Sequence, residues 1–110
     1  MKKIIISSDF SNTPGGRWKR LGPNSGEEFY ENLLYSNFKA AMDDDDSLYI
    51  DLDGVIGYPS SFLDQSFGEL SREFGAKEVL KRINFKSEDE PSLPQDIVKK
   101  IKDADNCYED

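Results

Sequence analysis

The length and charge of the chain already limit what it can be. Its 110 residues suffice for one domain with a modest core and are too few for two ordinary domains. A formal net charge of −8 disfavours binding to nucleic acids and to anionic membrane surfaces, because both are negatively charged. Seven phenylalanines, five tyrosines and one tryptophan provide enough apolar bulk for a core. We therefore expect a single folded domain over residues 1–110.

The residue types limit the chemistry further. The chain has no histidine and one cysteine, Cys107, which excludes histidine-based catalytic sets, histidine-containing zinc sites and an intrachain disulfide. The apolar run at residues 4–6 is far shorter than a signal-peptide core or a membrane span. We expect a soluble cytoplasmic protein that uses no metal or cofactor and binds neither nucleic acid nor membrane.

The first predicted element is a strand over residues 2–8. Its three consecutive isoleucines favour a strand that is buried on both faces. A long loop follows, because Pro14 before a glycine pair and the Gly-Pro-Asn run at residues 22–24 are typical of turns.

The first long helix is predicted to begin after Ser25 and to run to about Met42. Ser25 and Glu28 have the spacing of a capping box. The apolar stripe of the helix has three- and four-residue spacing and comprises Tyr30, Leu33, Leu34, Phe38 and Ala41. Four aspartates at residues 43–46 then predict a solvated turn, since they lack the glycine and the distal glutamate of a calcium-binding loop.

A central strand and a second helix are predicted next. Leu48, Ile50 and Leu52 alternate with polar residues, which indicates a strand over residues 48–53. The helix is predicted over residues 60–74, and Gly75 can end it in the left-handed conformation. Its apolar stripe comprises Leu63, Phe67, Leu70 and Phe74.

The last third of the chain predicts one more strand and one more helix. Apolar and polar residues alternate over residues 79–86 closely enough to predict a strand. The sequence also allows a helix over residues 76–83. Ser92 and Gln95 form a second capping-box pattern before the last helix, whose apolar residues are Ile97, Val98, Ile101 and Ala104. Residues 105–110 show no pattern and are expected to fray. This order of elements predicts an α/β domain with helices on a face of its sheet and a core over residues 2–104.

The middle of the chain resembles a STAS domain, the fold of anti-sigma-factor antagonists. After the Asp-Leu pair at residues 51–52, Val55 and the Ser-Ser pair at residues 60–61 follow in matching order. Three longer stretches together resemble a bacterial and phage STAS-like family of unknown function: DFSNTPGGRW, GPNSGEEFYENLL and GYPSSFLDQSFGEL. This resemblance covers residues 2–102 and implies a small mixed sheet with helices packed on one face.

The resemblance also implies a modification site. In the antagonists, a serine at the start of this helix is phosphorylated by a partner kinase, which breaks the contact with the partner. Ser60 and Ser61 hold this position here. The residues alone also allow a second interpretation, in which Ser60 is only the N-cap of the helix, with Asp64 and Gln65 in its first turn.

The loop before the first long helix collects positive charge in an acidic chain. Arg17, Lys19 and Arg20 lie between a glycine pair and a helix start, where phosphate or carboxylate can bind. The loop lacks the Gly-Lys-Ser/Thr ending of a P-loop, so nucleotide hydrolysis is not predicted. Alternatively, the cations pair with carboxylates of the chain itself, the candidates being Asp9, Glu27, Glu28 and the aspartates of residues 43–46.

Two classes of function follow. The first is a non-catalytic regulatory module that docks through residues 58–65 on a protein partner, such as an ATPase of the histidine-kinase type. The second is a domain that binds a nucleotide or another anion with residues 15–25. An enzyme ranks third, because the carboxylates of Asp9, Asp51 and Asp53 have no recognisable base or nucleophile beside them. The candidate docking residues are Arg17, Lys19, Arg20, Ser25, Tyr58, Ser60, Ser61 and Asp64.

Overall fold

A three-stranded sheet forms the centre of the fold. The computed structural model describes residues 2–105. Strands β1 (Lys2–Ile5), β2 (Leu48–Asp51) and β3 (Ile83–Lys86) are parallel, and β2 lies between the other two. The predicted α/β class and the central position of the second strand are confirmed. Within the described residues the sheet is wholly parallel rather than mixed.

Helices connect the strands and cover the sheet. In chain order they are α1 (Ile6–Asp9), a 3₁₀ turn (Lys19–Leu21), α2 (residues 26–43), α3 (residues 60–74), α4 (Ala76–Arg82) and α5 (Leu93–Ala104). Among residues 2–105, none of the helices has the length and apolarity that crossing a membrane requires.

The two faces of the sheet differ in polarity. Ile4, Leu48, Ile50 and Ile83 are buried on one face, in the same core as apolar side chains of the helices. The other face carries polar side chains, and the Lys3 ammonium lies 5.6 Å from the ring centre of Tyr49. The helices therefore pack on one face, as the resemblance implied.

Strand β1 ends three residues earlier than predicted. Residues 6–9 form a helical turn instead, in which the Asp9 carboxylate accepts a hydrogen bond of 2.7 Å from the Ile5 N–H. The Asp9 side chain thus provides a hydrogen-bond acceptor for the Ile5 N–H, at the residue where the strand ends. Ile6 remains buried, so the apolar run is used in the core without continuing the strand.

Residues 79–82 belong to helix α4, so the strand predicted over residues 79–86 begins only at Ile83. The side chain of Arg82 ties the end of this helix to the chain before β2. Its guanidinium donates to the Asp46 carbonyl at 3.0 Å and pairs with Asp45 and with Glu78, one turn earlier. The helical alternative noted from the sequence is the one observed.

Both long helices contain a π-helical stretch, Tyr30–Leu34 in α2 and Asp64–Gly68 in α3. A π turn has a hydrogen bond between residues five apart, so it shifts the buried stripe of the helix. Phe29 and Phe62 both lie five residues before a buried member of their helix, and both are fully buried. They were missing from the predicted stripes for this reason.

The remaining members of the predicted stripes face the core to different degrees. Leu34, Phe38, Ala41, Leu63, Phe67 and Leu70 are buried, whereas Tyr30, Leu33 and Phe74 are half-buried. Helix α3 ends at Gly75 with a φ of 88°, a positive value that glycine adopts without strain. The apolar patterns therefore predicted the buried sides of both helices.

The two predicted capping boxes have different outcomes. The Ser25 hydroxyl accepts the Glu28 N–H at 3.0 Å, and the Glu28 carboxylate reaches the N–H of Asn24, one residue before the standard position. Ser92 makes no side-chain cap, so this prediction is wrong. Its backbone is already helical, and an N-cap requires an extended residue.

The aspartate run ends α2 as the predicted turn. Asp43 pairs with Lys39, Asp44 with Lys2, and Asp45 adopts a positive φ of 51°. At the other end of the chain, the Asp105 carboxylate accepts the Ala76 N–H at 2.7 Å. Asp105 is therefore held in place, and the rest of the predicted frayed tail lies outside the described residues.

Truncating Phe67 tests the packing of α3 on the sheet. Its ring is fully buried, 5.7 Å from the ring of Phe85 between centroids. We expect Phe67→Ala to lower the free energy of unfolding by about 3–5 kcal/mol, because it leaves a cavity. Urea denaturation monitored by circular dichroism measures the loss. The exposed Glu73→Ala on the same helix should stay within about 0.5 kcal/mol, and a Phe67→Ala loss below about 1 kcal/mol would contradict the burial.

Candidate functional site

The loops after all three strands meet at the carboxyl edge of the sheet. In parallel sheets this is the edge where binding sites form, because successive loops converge there. The Ile56 N–H donates to the Asn12 carbonyl at 2.9 Å, and this bond joins the loop after β2 to the loop that follows α1. The Leu52 N–H donates to the Lys86 carbonyl at 2.8 Å and so extends the pairing of β2 with β3.

Two aspartates brace the loops after β2 and β3 against each other. Asp53 Oδ1 accepts the N–H groups of Glu88 at 2.8 Å and of Asp89 at 2.9 Å. In return, Asp89 Oδ2 accepts the Gly54 N–H at 2.9 Å. The bond from the Asp89 N–H, then that from Glu88 and the nearby Lys86 ammonium, hold the pKa of Asp53 below its usual value.

The braced loop presents an apolar side chain to solvent. The Tyr58 hydroxyl donates to the Leu52 carbonyl at 2.9 Å, and burial raises the pKa of this phenol. The Ile56 backbone is fixed by the bond from its own N–H to the Asn12 carbonyl, and its side chain is 83 % exposed. An isoleucine side chain this far out of the core, on a loop that hydrogen bonds hold in place, is a candidate contact residue.

The two candidate serines begin helix α3. Ser60 is exposed and Ser61 is half-buried. Pro59 occupies the N-cap position and no side chain caps the helix, so the interpretation of Ser60 as an N-cap is wrong. The exposed hydroxyl of Ser60 is therefore free of the structural role that the sequence allowed.

The basic loop is largely neutralised by the chain itself. Arg17 Nη1 lies 2.5 Å from Asp64 Oδ2 and 3.4 Å from Gln65 Oε1. The ammonium of Lys19 pairs with Glu31, and its backbone N–H donates to the Glu27 carboxylate. These ion-pair partners, Asp64 and Glu31, differ from the acids expected from the sequence. Within residues 2–105, Arg20 is the member of the cluster that forms no ion pair, and it is exposed.

Ser25, one of the candidate docking residues, lies in the interior of the fold and not at its surface. It is fully buried, and its hydroxyl is used to cap α2. Directly after it, a Cβ on Gly26 would lie 2.5 Å from the Phe62 carbonyl oxygen, so the starts of α2 and α3 lie against each other. Only glycine allows this approach.

The fold groups the candidate residues into two clusters. Tyr58 and Ser60 line a groove of about 400 Å³ between the start of α3 and helix α5. Arg17 and Asp64 join the basic loop to the first turns of α3. Arg20 instead lines a separate open hollow with Trp18.

Sequence reasoning missed the residues that shape the edge itself. They are Ile56, Asp89, Glu90 and Leu93, whereas Asp53 was considered only as a carboxylate of a possible enzyme. The Asp-Gly pair at residues 53–54 is a turn signal, and Gly54 indeed has a φ of 80°. Nothing local indicates that Ile56 is exposed, because its loop is held by bonds to distant segments, from the Ile56 N–H to Asn12 and from Glu88 and Asp89 to Asp53.

Residues 25–93 match a STAS-like domain of unknown function (DUF4325). The chain belongs to this family. The matched range includes helices α2 to α4, strands β2 and β3, and the braced loops between them. Neither a comparison with curated proteins nor one with solved structures finds a match.

The brace predicts a pH dependence. Because hydrogen bonds lower the pKa of Asp53 in the folded state, its carboxylate stabilises the fold above the unfolded value of about 3.9, and this contribution is lost as the pH falls through the folded pKa. Asp53→Asn removes the charge and keeps an acceptor. It should be less stable than the wild type at pH 7, and the difference should close in acid.

Thermal denaturation of both proteins between neutral and acid pH measures this difference. Asp103→Asn is the matched control, since its exposed ion pair with Lys99 contributes little to stability. A constant gap between Asp53→Asn and the wild type across the pH range would show that the carboxylate charge does not hold the brace.

Proposed function

We propose that this STAS-like domain is a non-catalytic regulatory module of the cytoplasm. It docks on a protein partner through the loop of residues 52–59 and the start of α3. The observation that carries the proposal is Ile56, which is 83 % exposed on a loop braced by Asp53, Asp89 and Tyr58.

A fixed apolar side chain suits a docking role for a thermodynamic reason. Association is weakened when a flexible loop must be ordered, and a loop that is already braced avoids this loss of entropy. Apolar anchors surrounded by polar groups contribute much of the affinity at protein interfaces. Ile56 is an apolar side chain of this kind, with Tyr58, Asp89 and Glu90 lining the same hollow.

The alternative, an anion or nucleotide site on residues 15–25, receives less support. Arg17 and Lys19 already neutralise Asp64 and Glu31, so an anion would have to compete with two carboxylates of the chain. Arg20 alone is a weak basis for nucleotide recognition.

Ser60 provides a means of regulation within this proposal. A phosphate would add a charge of about −1.5 to −2 at an exposed position in a groove that holds three carboxylates and two ammonium groups, those of Glu90, Asp96, Asp103, Lys99 and Lys100. The helix start tolerates negative charge, so the change would affect the docking surface more than the fold. The resemblance to antagonists makes an ATPase of the histidine-kinase type the first partner to test.

Replacing Ile56 tests the docking surface. We expect Ile56→Asp to abolish partner capture, because an apolar anchor becomes a charge that the interface must desolvate. Tagged wild-type and variant chains are used for affinity purification, and the captured proteins are identified by mass spectrometry. The thermal midpoint should not change, since the side chain is exposed.

Leu21→Asp is the matched control, because Leu21 is 71 % exposed on another part of the surface. The same partner should be captured by this variant. Equal capture by wild type, Ile56→Asp and Leu21→Asp would remove the loop of residues 52–59 from consideration.

A charge at Ser60 tests the regulatory part separately. Ser60→Asp should weaken capture of the partner found with the wild type, without lowering the thermal midpoint. Ser36→Asp places the same charge at an exposed serine of α2 and should leave capture unchanged. If both variants capture the partner as well as the wild type does, Ser60 is not a switch for this contact.

A further inference from the structure

A small hollow lies beside Ile56, between the loop after β2 and the segment after β3. Its volume is about 180 Å³. Its wall includes four apolar side chains and one phenol, namely those of Leu52, Val55, Ile56, Leu93 and Tyr58. Gly57, Ser87, Asp89 and Glu90 complete the lining, and the two acids place carboxylates at its rim.

The size of the hollow indicates what it can hold. Small-molecule sites usually occupy about 300–1,000 Å³. A hollow of about 180 Å³ is below this range and suits one protruding side chain better than a nucleotide.

The charge around the hollow is negative. Glu88, Asp89 and Glu90 are consecutive and exposed. Among the nearby cations, Lys86 lies within 4 Å of the carboxylates of Asp51, Asp53 and Glu88, so its charge is already shared among three acids. Lys99 and Lys100 line the adjacent groove, where Asp96 and Asp103 accompany them and Lys99 pairs with Asp103. The rim therefore favours a positive ligand group.

Two rim carboxylates have oxygens available to such a group. Asp89 uses Oδ2 for the Gly54 N–H, which fixes its position and leaves Oδ1 for a second contact. Glu90 accepts hydrogen bonds from Ser87 and Leu93 through its backbone carbonyl, and its side chain extends at the rim.

We infer that this hollow receives an arginine or lysine side chain of the protein partner. The methylene stem lies against the apolar wall, and the charged end reaches Glu90 and Asp89. Ile56 packs on an apolar residue next to that cation. The partner segment therefore carries a basic residue next to an apolar one. The basic residue complements the acidic rim, and the apolar residue complements Ile56. This inference rests on the docking function proposed above and specifies the chemistry of the partner.

The test uses a phage-displayed library of random peptides selected on the full chain. Selected peptides should contain arginine or lysine beside leucine, isoleucine or phenylalanine. A synthetic peptide of the selected sequence should shift the backbone amide NMR signals of Val55, Ile56 and Leu93. Replacing its cationic residue with glutamine should weaken binding at least about tenfold.

Charge reversal on the protein tests the same contact from the other side. Glu90→Lys should weaken binding of the peptide at least about tenfold, and Glu90→Gln should weaken it less. Glu73→Lys makes the same change in net charge on an exposed residue outside the hollow and should leave the affinity within about twofold. Unchanged thermal midpoints would show that all three variants fold.

The possible results separate the two proposals. Peptides that require Ile56 but tolerate both the loss of their cation and Glu90→Lys would overturn the inference and retain the docking surface. Equal weakening by Glu90→Lys and Glu73→Lys would also overturn it, because general charge attraction would explain the binding. If no selected peptide depends on Ile56, both the inference and the docking surface are contradicted.

Discussion

Phe29 occupies the point on which the packing of this domain depends. Its ring lies 5.2 Å from Phe10, 5.6 Å from Phe62 and 6.1 Å from Phe67, measured between ring centroids. Phe10 follows α1, and Phe62 and Phe67 belong to α3, one before its π stretch and one within it. Aromatic pairs at such distances contribute about 0.5–1.5 kcal/mol beyond their buried area. The cluster fixes the starts of α2 and α3 together, and with them the loops that lead into both helices.

The aromatic cluster explains why the loops at the carboxyl edge have fixed positions although the sheet is small. The close approach of Gly26 to Phe62 fixes where both helices begin. The loop of residues 52–59 must then span a set distance, and Asp53 and Tyr58 bond it to its surroundings on the way. The exposed Ile56 therefore lies on a loop whose two ends are held by the packing below it.

The parts of this fold that could be predicted from sequence are those that depend on local periodicity. Leu48, Ile50 and Leu52 alternate as a half-buried strand must, and all three are buried. Phe62 was missed because its spacing to Phe67 fits a π turn, and periodicity rules assume an α-helix. Arg17 pairs with Asp64, 47 residues away, and only the folded chain brings such residues together. The family resemblance pointed to residues 58–65 at the start of α3, whereas the exposed Ile56, the brace of Asp53 and Asp89 and the acidic rim depend on contacts between segments that have no local pattern in common.

The two edges of the sheet have a consequence for how the molecules behave in a concentrated solution. Strands β1 and β3 have no neighbour on their outer sides within residues 2–105, and exposed strand edges can pair with other chains. Both strands are only four residues long, and lysines lie along them at Lys2, Lys3 and Lys86. Addition of a foreign strand to either edge would therefore gain few backbone hydrogen bonds. The short length of both edge strands thus works against edge-to-edge aggregation of the domain.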